Sequence, residues 1–295
     1  LAKTDAGFIE LQESDNPVLQ ELCAVRLGTK STIEESRIQR FIDIGERHQG
    51  LLPIPLKYYG AHTGRWSGSD KVNFQNLPSR DVKKKALKNA ILPPVDHVIL
   101  NVDSSQIEAR ILVWLAGQHD QVELYRQGKD VYCDFASRVY KKTINKRNKK
   151  ERAVGKTCIL GLGYGTGHVK LKGVLKLNAG IEVNEIESKR LVKLYREVNH
   201  EVVKLWEECD RALRDIASWP ADRLPYYLGS GKCLLVEPKG IKLPNGLYIT
   251  YPDLQLGSDG YEYKSRRGTI SIWGGAVVEN VVQALARIVI GEQMI

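Results

Sequence analysis

Arg152, Lys156, Leu160 and Tyr164 follow one another at intervals of four residues, and this spacing constrains the chain more tightly than any other feature. Four helical residues turn through about 400° and rise about 6 Å, so each step drifts only about 40° around the axis. On a helix the four side chains form one slowly winding face about 18 Å long. The first two are cations; the last two are an apolar side chain and a phenol. A face of that length and order matches an extended nucleoside triphosphate, with the cations toward the phosphates and the other two toward sugar and base. The alternative is an ordinary amphipathic helix with exposed basic residues.

The rest of the 295-residue chain suits such a partner. With 42% apolar and 27% charged residues it can bury a real core, which excludes bulk disorder, in one large domain or two ordinary ones. Even VVQALARIVI is broken by Gln283 and Arg287, so no membrane span is expected. Forty-four Lys plus Arg against 35 Asp plus Glu leave a charge of +9, favouring a polyanionic partner such as nucleic acid or nucleotide, with a solvated basic surface as the alternative. The five cysteines form no CxxC pair and are odd in number, so neither a zinc cluster nor a disulfide framework fits, and a reducing, cytoplasmic home is expected. The chain begins with Leu1 and its one methionine is Met294, which reads as an excerpt of a longer protein; its first residues lack the basic-then-apolar form of a signal peptide, and the true N-terminus is expected to lie upstream.

Periodicity predicts helix over residues 16–49, with Ser31-Thr32 before a Glu34-Glu35 first turn. Pro53 to Pro78 is irregular and glycine-rich, a length of loop that a compact domain seldom keeps without a purpose. Val98 to Asp103 reads as a buried strand, and QIEARILVWLA after it as a helix. Residues 121–230 are mostly helical by pattern and include a basic run from Lys141 to Lys156. From 241 to 273 short alternating runs separated by Pro244-Asn245-Gly246 and Ser258-Asp259-Gly260 predict antiparallel hairpins, and the last twenty residues return to helix. Gly155-Lys156-Thr157 is no P-loop, because Lys150 stands where its first glycine is needed, and the glycines at 161, 163, 165 and 167 never fall at GxGxxG spacing.

Four elements, in order, carry a resemblance. Asp103-Ser-Ser-Gln-Ile-Glu108-Ala-Arg110 resembles the DxSQIELR motif A of the family A DNA polymerases. Arg152-x3-Lys156-x3-Leu160-x2-Gly163-Tyr164-Gly165 resembles their motif B. Thr63-Gly-Arg65 with Asn73-Phe-Gln75-Asn76-Leu-Pro78 is similar to their TGRLSS and NLQNIP segment, and Glu279-Asn-Val-Val-Gln283-Ala to the helix before their last catalytic motif. The wording WGGAVVENVVQALAR looks closest to phage members, which would place the protein in a host bacterial cytoplasm.

The resemblance implies a mixed α/β (α+β) fold: a right-hand polymerase palm with an antiparallel sheet, mostly helical fingers and little of the thumb. Residues 1–55 would belong to the thumb and lead-in helices, 56–118 to the first part of the palm, 119–230 to the fingers, 231–275 to joining hairpins and 276–295 to a palm helix. It implies a DNA-templated DNA polymerase that works on primer-template DNA and dNTP with two Mg²⁺ ions, or Mn²⁺ in their place. Asp103 and the Ser104 carbonyl would bind metal, hard oxygen donors that suit Mg²⁺. Gln106, Ile107 and Glu108 would line the nucleotide, with Glu108 under the sugar excluding a 2′-hydroxyl. Arg152 would hold the triphosphate, and Lys156 would neutralise it and act as general acid toward the leaving pyrophosphate. Leu160 departs from the Phe or Tyr usual beside the sugar, Tyr164 would stack near the templating pair, and Tyr132 stands where many relatives have a phosphate-contacting histidine. Arg65, Gln75, Asn76, Tyr164 and Gln283 would touch primer and template.

For Gln75-Asn76 the bland alternative is a polar turn, and for Glu279, Gln283 and Arg287 an exposed stripe at i to i+4 spacing. The basic run, and Lys83, Lys84, Lys85 and Lys88, would be DNA-facing or merely solvated. The second metal-binding aspartate of the family would lie beyond Ile295, so the excerpt alone is expected to be inactive. Two rivals remain open. A single-subunit RNA polymerase is disfavoured by Glu108, where those enzymes carry a small residue, and a non-catalytic DNA-binding module would lack an acidic partner for Asp103.

Overall fold

The computed structural model describes residues 6–12, 14–28, 33–69, 73–77, 85–100, 102–266 and 268–294. The chain divides into two compact units, Leu1–Asp103 and Ser104–Ile295. Ser31, Thr32, Pro78, Lys83, Lys84 and Asn101, all part of the expectations above, lie outside the described residues.

The first unit opens with α1 (Ala6–Gln12), α2 (Pro17–Gly28) and α3 (Ile33–Arg47). Pro17 starts α2 at the position where a missing N–H costs nothing, and the Asn16 side chain accepts from the Val18 amide at 3.0 Å. Phe41 of α3 stacks on Phe74 with ring centroids 5.5 Å apart. The irregular segment contains a two-stranded antiparallel ladder of β1 (Leu56–Lys57) and β2 (Ser67–Gly68) and a 3₁₀ turn at Phe74–Asn76; α4 (Ala86–Asn89) follows.

The expected buried strand at 98–103 does not form. Its described residues join no ladder, and Val98, Ile99, Leu100 and Val102 are between 59% and 90% exposed. An apolar run becomes a strand only where neighbouring strands complete its hydrogen bonds, and no described strand of the first unit pairs with this one.

The second unit begins with helices α5 (Ile107–Ala116), α6 (His119–Arg126), α7 (Val131–Tyr140), α8 (Lys149–Leu162), α9 (His168–Ala179), α10 (Glu185–Val198) and α11 (His200–Ala217). A four-stranded antiparallel sheet follows, β3 (Tyr226–Leu228), β4 (Leu234–Glu237), β5 (Gly240–Lys242) and β6 (Tyr248–Ile249), each strand beside the next. A three-stranded meander, β7 (Gln255–Gly257), β8 (Gly260–Ser265) and β9 (Gly268–Ile272), leads to α12 (Gly274–Glu292). The helical stretch therefore stops at Ala217, short of the expected 230, because Tyr226–Leu228 pairs with Leu234–Val236 as a hairpin.

The two larger of three apolar clusters among the described residues span most of this unit. Phe135, Val154, Cys158, Leu162, Leu171, Leu191 and Tyr195 close the interior of α7 to α10. Leu115, Leu205, Leu213, Val236, Ile241, Val278 and Val282 join α5, α11 and α12 to the four-stranded sheet. By length and composition α12 could cross a membrane, but 56% of its apolar window is buried inside the protein, where it packs on α11 and α5. A helix buried in a protein core shares its length and apolar content with a membrane span, because most of its faces meet other apolar side chains.

Candidate active site

α8 realises the helical face expected from the spacing. Val154, Gly155, Thr157, Cys158 and Leu162 turn inward, while Arg152 and Lys156 are half-buried and Leu160 is exposed. Tyr164 lies two residues past the end of α8, yet Gly163 keeps right-handed helical dihedrals (φ −56°), so the path of the helix carries on toward it. Lys156 makes no ion pair among the described residues.

Three helices fix the end of this face. Tyr164 Oη donates to Glu108 Oε2 at 3.4 Å, joining the first turn of α5 to the chain beyond α8, 56 positions later in the sequence. Burial first, then the Glu108 and Glu279 carboxylates, push the phenol far above its ordinary value, so it stays protonated and keeps donating. Gly163 offers its carbonyl to Trp206 Nε1 of α11 at 2.9 Å, and a Cβ added there would come within 2.8 Å of Leu112 of α5. On α12, a Cβ at Gly275 would lie 2.5 Å from the Tyr164 carbonyl. Glycine at 163 and 275 is thus what lets the backbone approach from both sides.

α5 enters through Ser104-Ser105-Gln106, with Gln106 in the left-handed conformation (φ 58°). Gln106 Oε1 is buried without a hydrogen-bond partner among the described residues. Arg110 Nε donates back to the Ser105 carbonyl at 3.0 Å, bracing this turn, and its guanidinium sits 4.7 Å over the Tyr125 ring. Glu279, Gln283 and Arg287 of α12 are half-buried, not an exposed stripe, because α12 is a core helix; Gln283 Nε2 donates to Glu279 Oε1 at 3.1 Å.

Arg152 is not a bare cation. Its Nε donates to Asp130 Oδ2 at 2.8 Å, and its guanidinium lies 5.2 Å over the Tyr132 ring. The Tyr132 ring is buried, so it supports Arg152. Asp130 went unread in the sequence, although an aspartate just before the apolar start of a helix is a cap signal. Of the basic run, Lys141, Lys146, Arg147, Lys149 and Lys150 are exposed, and Lys142 pairs with Glu151 at 3.4 Å. Lys85 and Lys88 are exposed as well.

In the first unit Arg65, Gln75 and Asn76 are exposed. Gln75-Asn76 does form a polar turn, held by Asn73, whose side chain accepts from the Gln75 amide at 3.0 Å. Asp103, expected to close a buried strand, is exposed, with the half-buried Ser104 next to it. Among the described residues no group of three or more His, Cys, Asp or Glu side chains could hold a metal by itself. The donor set that is present, one carboxylate and a neighbouring carbonyl, suits Mg²⁺, which takes its remaining ligands from water and phosphate.

Residues 2–216 match the sequence profile of DNA polymerase family A. A DNA polymerase of Bacillus phage SP02 is 29% identical over 277 residues, covering 79% of this chain and 42% of that protein. The thermostable DNA polymerase I of Thermus aquaticus is 25% identical over 174 residues, covering 59% of this chain and 21% of that one. The POL domain of Pol1 from M. smegmatis, in complex with DNA primer-template and dNTP, superposes with a TM-score of 0.56 at 21% identity, over 96% of this chain and 42% of that one. The chain thus spans 42% or less of the length of these relatives.

Proposed function

Because the chain belongs to DNA polymerase family A, we propose that the whole protein extends a DNA primer along a template, transferring a nucleotidyl group from dNTP to the primer 3′-hydroxyl. The observation that carries this reading is the Tyr164–Glu108 hydrogen bond, which ties the motif A helix to the Gly163-Tyr164-Gly165 end of motif B, just beyond the cationic helix. The M. smegmatis neighbour holds a DNA primer-template and dNTP, and these are the partners proposed here.

Arg152 and Lys156 bind the triphosphate, and Lys156 delivers a proton to the leaving pyrophosphate. Gln106, Ile107, Leu160 and Tyr164 surround sugar and base, and Glu108 excludes the ribose 2′-hydroxyl. Arg65, Gln75, Asn76, Tyr164 and Gln283 contact primer and template. Asp103 and the Ser104 carbonyl would hold Mg²⁺ or Mn²⁺, which when bound would lower the pKa of the primer hydroxyl and balance charge on the phosphates. Residues 56–118 and 276–295 serve as palm, 119–230 as fingers, 231–275 as the hairpins between them and 1–55 as part of the thumb.

Primer extension by the whole protein tests the reading. We expect dNTP to be used in preference to rNTP, with Glu108→Ala admitting rNTP. Lys156→Ala should lower the single-turnover rate by about 10²- to 10⁴-fold while DNA affinity holds. Failure of the wild type to extend any primer with Mg²⁺ or Mn²⁺ would overturn the proposal; unchanged ribose exclusion in Glu108→Ala would remove the gate.

A further inference from the structure

We propose that Asp130 is the positioning residue for Arg152, holding the guanidinium by Nε so that its Nη donors stay available for the triphosphate. This rests on the polymerase reading of α8 and adds to it a residue that neither the spacing nor the resemblance assigns.

Both oxygens of Asp130 are committed. Oδ1 accepts from the Tyr132 and Cys133 amides at 3.1 and 3.2 Å, capping α7, and Oδ2 accepts from Arg152 Nε at 2.8 Å. The carboxylate is thus clamped to a helix start, and whatever it binds inherits that rigidity. The Arg152 and Asp130 side chains are 30% and 13% exposed, so the pair is partly shielded from water. Tyr132 supplies a second constraint from the ring face, at a distance suited to a cation–π contact. The two helices pack backbone to backbone here: Gly155 of α8 lies so close to the Tyr132 carbonyl that an added Cβ would sit 2.1 Å from it.

A guanidinium has five N–H donors in a rigid fork, and Asp130 uses the one on Nε. Nη1 and Nη2 have no carboxylate or carbonyl partner among the described residues; beyond Asp130 the guanidinium also meets the Cys133 thiol, a weak acceptor that a triphosphate oxygen outcompetes. Fixing a long, flexible side chain before the ligand arrives removes that ordering cost from binding. Asp130 would thus act on triphosphate affinity through Arg152, without touching the substrate.

The test is steady-state primer extension by the whole protein carrying Asp130→Asn, Arg152→Ala or both. Asparagine still caps a helix, and its amide can present an oxygen to the α7 amides but only N–H groups to Arg152 on the other side. We expect Asp130→Asn to raise KM for dNTP about tenfold with kcat nearly unchanged, and to add nothing once Arg152 is alanine. An unchanged or lowered KM, or an effect that persists undiminished in the Arg152→Ala background, overturns the assignment. The Arg152 Nε–H resonance in the nucleotide-free protein gives a second readout: it should be slow to exchange in wild type and fast in Asp130→Asn. A wild type that extends no primer overturns the polymerase reading and this role with it, whereas a resonance indifferent to Asp130→Asn overturns the pairing alone.

Discussion

At Asp130, burial would raise the carboxyl, but the bonds from Arg152 and from the Cys133 and Tyr132 amides outweigh it and hold the group below the usual carboxylate range. A group whose folded pKa is depressed stabilises the protein above its unfolded value, near pH 3.9, and loses that contribution as pH falls through the folded one. Wild type should therefore be more stable than Asp130→Asn at about pH 6, by on the order of 1 kcal/mol, and the difference should close as the pH falls through the lowered folded value. Thermal melts of both proteins across that range check it; a gap that widens on acidification would mean the charged pair is not what stabilises. Tyr164 is the opposite case. It needs to keep its proton, and burial beside Glu108 and Glu279 sees to that.

Helix contacts decide which glycines matter. Gly155 and Gly161 both lie in α8 and look alike in the sequence. A Cβ at Gly155 would collide with the Tyr132 carbonyl at 2.1 Å, whereas one at Gly161 would meet nothing within 4 Å. Gly155→Ala should push α7 off α8 and cost about 1–3 kcal/mol or more. Gly161→Ala should be neutral or stabilising by up to about 1 kcal/mol, since alanine restricts the unfolded chain more than glycine. Chemical denaturation of the two variants separates them; equal costs would show that the α7–α8 contact is looser than described. The same contact delivers Tyr132 beneath Arg152, so packing between α7 and α8 also shapes the nucleotide end of the proposed site. The hairpin at Tyr226–Leu228 carries a related lesson, because three residues are too few for a periodic signal and the ladder to Leu234–Val236 is what makes them a strand.

Across the whole molecule, order should follow burial. Val277, Val278, Val281 and Val282 of α12 are fully buried, while Val98, Ile99, Leu100 and Val102 are exposed outside any ladder. Hydrogen exchange should leave the α12 amides protected for far longer than those of 98–100 and 102; comparable rates in the two segments would contradict this burial pattern. The helical face of α8, the hairpins after 241, the final helix and the family motifs were all legible in the residues alone, because helix and hairpin periodicity are local properties of the backbone and motif order is linear text. The partners of those residues were not. Arg152 meets a carboxylate 22 positions away and Tyr164 one 56 positions away, encounters that arise only when α7 packs against α8 and the start of α5 comes to the chain beyond it. The apolar run before Asp103 shows the same limit from the other side: its composition favours a strand, but a strand exists only where another backbone answers its hydrogen bonds.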